Sequence, residues 1–153
     1  MTSENNNHDG KTSGVQTFFR LLLGALLLFS GIGHLTVARV EFLAQVPRWV
    51  PLNADLVVVL SGIAEMVLGG ALIVVRRWRG GVGWATAAFF VLIFPGNISQ
   101  YINGIDAFGL NSDRARAIRL AGQPLLVIWA LWSTGAWHAW RRRHSKPSEM
   151  TLS

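Results

Sequence analysis

The run Leu56–Val75 is long enough to cross a bilayer, and its one charged residue, Glu65, stands near its middle. A carboxylate at that depth costs on the order of 3 kcal/mol unless it is paired, protonated or wetted. Much of the functional question is therefore the question of its partners.

Of the 153 residues, 51% are hydrophobic and 14% charged, only slightly more apolar than a soluble domain. The distribution says more than the balance. Apart from Arg20, Glu65, Arg119 and the terminal Asp55 and Arg76, charge stays out of four segments of roughly 20 residues, about 15–37, 54–76, 82–104 and 118–140. The expected fold class is all-α: a polytopic membrane protein, an antiparallel four-transmembrane-helix bundle over 15–140. A disordered polar tail (1–14) and a basic tail (141–153) flank it, leaving no room for a soluble domain. The apolar core of the first span exceeds the ~7–15 residues of a signal peptide and no small-residue cleavage site follows, so it is expected to be retained.

Basic residues set the expected topology. Lys11, Arg76, Arg77, Arg79, Arg141, Arg142, Arg143 and Lys146 fall on one side, and Arg39, Arg48, Arg114, Arg116 and Arg119 on the other. That bias puts both termini in the cytoplasm of a bacterial plasma membrane. The net charge of +6 does not point to nucleic acid, because the basic residues flank apolar spans and are not interleaved with aromatics on a soluble surface. Cysteine is absent, which excludes a thiol–disulfide relay and an iron–sulfur cluster held by this chain alone. No metal site is expected, since one His and one Glu are too few ligands.

The connections carry further signals. Arg76–Gly81 reads as a tight basic turn. Phe42, Leu43, Val46, Trp49 and Val50 share an apolar face broken by Pro47 and Pro51, so this loop is expected to lie in the interface. Asn53 can cap the second helix, and Asn111 or Ser112 the fourth, placing Arg114, Arg116 and Arg119 at headgroup level. Each span also bears a small or polar stripe, including Gly24-Gly31-His34 and Gly62-Glu65-Gly69, of the kind that lets helices approach within a membrane.

At ~1.5 Å rise per residue, one polar layer gathers in the outer half: His34, Ser61, Glu65, Asn97, Gln100, Tyr101, Arg119 and Gln123. Pro95 and Pro124 free the carbonyls of Val91 and Leu120 close to it, and irregular backbone persists in hydrocarbon only beside protein or a water-filled cavity. An outward-facing pocket with Glu65 at its floor follows. Two readings of Glu65 stand: a proton-accepting or ligand-anchoring group, or a structural carboxyl bonded to Asn97 or Gln123. His34 and Arg119 divide the same way, between pocket residues and an interfacial histidine and a snorkelling arginine. Arg20 reads as an anchor near the inner face whose place on the Gly24–Gly31 stripe keeps an inward role open.

Several segments carry a resemblance: Phe29-Ser-Gly-Ile-Gly-His34, Val46-Pro-Arg-Trp-Val-Pro51, Ser61-Gly-Ile-Ala-Glu65 with Leu68-Gly69, Phe94-Pro-Gly-Asn-Ile98, and Arg119-Leu-Ala-Gly-Gln-Pro124 leading to Trp129-Ala-Leu-Trp132. In this order, over about 15–140, they resemble the DoxX and DoxX-like family of small four-helix membrane proteins, with Gly96 where that pattern has alanine. The resemblance implies an accessory or anchoring subunit of a membrane redox system, associated with quinone and with a redox partner protein. Three functions compete. One is such a subunit, with a quinone headgroup at His34, Glu65, Asn97 and Gln123. Another is a small proton or solute carrier titrating at Glu65. The last is a scaffold without activity. The bilayer, a redox protein and a second copy of the chain are the partners these readings admit.

Overall fold

Ser13 and Gln16 set where the first long helix begins. The Gln16 N–H donates to Ser13 Oγ (3.2 Å) and the Ser13 N–H to Gln16 Oε1 (3.0 Å), a capping box that satisfies two orphan donors. The computed structural model describes residues 12–109 and 111–144. Its elements are α1 (Gly14–Leu35), α2 (Arg39–Gln45), α3 (Ala54–Val74), α4 (Arg79–Ile102), α5 (Asp113–Ser133) and α6 (Ala136–His144). No strand occurs among the described residues. Of the tails expected over 1–14 and 141–153, residues 1–11 and 145–153 lie outside the described residues. Helices α1, α3 and α4 are long and apolar enough to cross a membrane. Phe29, Val67 and Leu92 are exposed on them, as a hydrocarbon surround requires.

Asn53 caps α3, its Oδ1 accepting from the Asp55 N–H at 2.9 Å, and Ser112 rather than Asn111 caps α5. The fourth helical segment differs from the expected 118–140. Because the Ser112 cap starts it early, α5 carries Asp113, Arg114, Arg116 and Arg119 in its first two turns. It also stops at Ser133, where Gly135 takes φ +69° and the chain restarts as α6. That left-handed conformation is what glycine permits.

Two helix pairs make the body: α1 packs on α3 and α4 on α5, with much sparser contact between the pairs. Missing side chains make the first pair close. A Cβ on Gly31 would lie 2.6 Å from the Gly62 carbonyl oxygen, and one on Gly24 would lie 2.8 Å from that of Gly69. The antiparallel backbones thus touch at two levels seven residues apart, the small-residue packing that replaces a hydrophobic driving force in lipid. Leu23, Leu27, Leu72, Phe89, Phe90 and Ala130 fill the middle.

Arg20 is buried and its guanidinium donates to the Leu72 carbonyl in the last turn of α3. The inward role wins over snorkelling because a helix end leaves its final carbonyls without donors, and a cation there satisfies one and opposes the negative end of the dipole. Arg20→Met removes that donor and should lower stability by about 1–3 kcal/mol, read as an earlier denaturation midpoint in micelles. An unchanged midpoint would contradict the capping role.

Candidate functional site

In an α-helix side chains lean toward the N-terminus. Because α1 and α3 are antiparallel, His34 and Glu65, which begin on opposite sides of the Gly31–Gly62 contact, lean toward one another. His34 Nε2 and Glu65 Oε2 are 3.4 Å apart, both residues buried. Gly62 makes room for this: a Cβ there would stand 2.7 Å from the His34 Cβ.

The other ring nitrogen, Nδ1, is 3.2 Å from the Val58 carbonyl oxygen. A carbonyl only accepts, so Nδ1 carries hydrogen. Nε2 then faces the Glu65 carboxyl across 3.4 Å. Glu65 Oε2 has no hydrogen bond, so the pair is held by packing and stays available to a third group.

Glu65 does not bond Asn97 or Gln123, the partners its structural reading requires. Those two bond each other, Asn97 Nδ2 to Gln123 Oε1 at 2.7 Å, and Gln123 Nε2 donates to the Phe90 carbonyl at 2.8 Å. The acceptor is the residue before Val91, whose carbonyl Pro95 deprives of its donor. Gln123 thus ties α5 to α4 beside the proline.

A cleft of about 900 Å³ runs between the two helix pairs and brings together His34, Ser61, Glu65, Asn97, Arg119 and Gln123. Gln100 is buried outside its lining, and Tyr101 is partly exposed and takes no part. Most of the remaining lining is apolar, including Leu27, Ala64, Phe90 and Leu126.

The α2 segment roofs the cleft. Phe42 stacks on the His34 ring at a centroid distance of 3.4 Å. Gln45 donates from Nε2 to Gln100 Oε1 (3.2 Å) and accepts from Arg119 Nη2 (3.1 Å). The Arg119 guanidinium lies 4.8 Å from the Phe108 ring centroid, a cation–π contact, and Phe108 meets Phe42 edge-on. Glu41 Oε2 accepts the Phe108 N–H at 2.7 Å, fixing that residue at φ +56°. Arg119 therefore turns inward instead of snorkelling. Arg116 is also buried, paired with Asp106 and with Asp113 (2.6 Å), so it does not sit free at headgroup level.

Sequence reasoning missed Gln45. The signal was present: Gln45 follows Phe42 by three residues, one helical turn, and is an amide among apolar neighbours. Among the described residues no group of three metal-ligating side chains occurs.

The fold and cleft define a helical protein with at least three membrane-length helices and a buried polar site between helix pairs. The chain belongs to the family described as a domain of unknown function, DUF8561, which matches residues 23–134 and so takes in the whole cleft. No curated protein and no solved structure matches it.

Proposed function

We propose that this chain is a DoxX-like integral protein of the bacterial plasma membrane, with α1, α3, α4 and α5 spanning and both termini cytoplasmic. It binds a quinone headgroup or a similarly small polar group in the cleft, as an accessory subunit of a membrane redox system. The observation that carries this is the buried His34–Glu65 pair sharing one cleft with Asn97, Gln123 and Arg119 inside apolar walls.

At 21 residues α5 is about 31 Å long, enough to span only with its first turns inside the membrane, where Asp106 and Asp113 pair Arg116 and Gln45 bonds Arg119. The excess of Lys and Arg at the opposite end supports cytoplasmic termini. Reduction of a quinone takes two electrons and two protons. The redox partner supplies both electrons and one proton, while this chain binds the headgroup and relays the other proton through the His34–Glu65 pair. Leu27, Leu72, Phe89 and Phe90 pack the middle of the bundle, which argues against a through-going carrier.

Purification from native membranes, followed by mass spectrometry of co-eluting proteins, lipids and quinones, tests this. Quinone is expected with the natural chain and should be lost with Glu65→Gln. Finding neither quinone nor a redox partner would leave the scaffold reading in possession.

A further inference from the structure

The lining of the cleft sorts by exposure. His34, Gln45, Glu65, Asn97 and Gln123 are all buried, whereas its exposed members are Leu26, Trp49, Leu52, Leu60 and Leu92. Polar groups form the floor and apolar side chains form the rim.

Water and hydrocarbon are the two possible surroundings of such a rim. A mouth that opened to water would expose the polar floor and gain by it. Here the end facing away from the core is closed by α2, which lies across both helix pairs and is held on each: Phe42 stacks on His34 of α1, and Gln45 bonds Gln100 of α4 and Arg119 of α5. Among the described residues no hydrogen bond joins α3 to α4 around Leu60 and Leu92, and these helices touch sparsely. The seam between the pairs is the open side.

Resting on the reading of the cleft as a ligand site, we propose that the ligand enters sideways from the bilayer, between α3 and α4 past Leu60 and Leu92, and not from water through α2. Its class is then a membrane-dissolved amphiphile: the polar head reaches His34 and Glu65 while a hydrocarbon tail stays in the seam. The α2 roof keeps water from the His34–Glu65 pair.

The test uses the full chain in lipid nanodiscs with decylubiquinone as the tailed probe and the tail-less dimethoxybenzoquinone as its water-soluble counterpart. The natural chain should bind the tailed probe, with the tail-less one failing to compete. Leu60→Trp and Leu92→Trp, both at exposed positions, should slow uptake about tenfold, and Leu60→Ala should quicken it. Gln100→Leu, which loosens the roof, should leave the rate within about twofold; denaturation midpoints check that each variant is folded. Uptake that responds to Gln100→Leu and ignores both rim positions overturns lateral entry while the quinone reading stands. Binding of neither probe by the natural chain overturns the quinone reading itself, and lateral entry with it.

Discussion

Gly31→Leu is expected to separate α1 from α3 and leave little folded protein at ordinary temperature. A Cβ at Gly31 would already fall 2.6 Å from the Gly62 carbonyl oxygen and 2.7 Å from Met66 Cγ. Met66 can rotate, but the carbonyl belongs to a helix and cannot move alone. Even one methyl forces a backbone shift, for which overpacking of about 1–3 kcal/mol is typical, and leucine adds three further carbons. The shift also pulls His34 off Gly62, so the cleft loses its floor along with the helix contact. Gly70→Leu is the control on the partner helix, because a Cβ there meets nothing within 4 Å. Denaturation of both variants in mixed micelles should show collapse for the first and near-native behaviour for the second. Equal loss in the two would mean that close approach does not explain these glycines.

His34→Ala is expected to harm the fold more than Glu65→Gln, although Glu65 is the residue that looks out of place. Removing the ring leaves a buried carboxyl facing a void, and an unsatisfied buried polar group costs about 1–3 kcal/mol before the cavity adds to it. Glu65→Gln keeps an amide N–H to face Nε2, so its cost should stay near the ~1 kcal/mol of an exchanged hydrogen bond. The double variant should be more stable than His34→Ala alone, with a coupling of about 2 kcal/mol. The three denaturation midpoints and that of the natural protein measure this coupling directly. Additive effects would show that the 3.4 Å approach carries no energy. The two residues should also part in ligand binding: Glu65→Gln folds but has no carboxyl with which to pass a proton.

The helices were legible because apolar length and cap residues act locally. Asn53 and Ser112 lie where their side chains must to accept from the following turn. The polar floor was legible for a related reason: lipid satisfies no donor, so His34, Glu65, Asn97 and Gln123 had to turn inward. Their pairing was not legible. Which amide meets which depends on a rotation of about 100° per residue and on α1 approaching α3 more closely than any other pair, and spacing along one helix does not reveal that. Gln45 and Phe108 lie in segments whose conformation is set by tertiary bonds, Gln45 to Arg119 and Phe108 to Glu41. The break at Gly135 escaped because the apolar pattern continues through it into Trp137 and Trp140. The glycine conformation, not hydropathy, ends the helix there.

The sparse contact between the two helix pairs has a thermodynamic consequence. Each pair joins spans that follow one another along the chain, so each resembles a hairpin that can form as it enters the membrane, and the sparsely packed joint between the pairs is the weakest part of the molecule. The cleft occupies that same joint. A molecule lodged in it touches both halves at once and acts as mortar, and at a hundredfold its Kd it would add about 2.7 kcal/mol to their cohesion. The melting point of the whole chain would then double as a gauge of how full the cleft is.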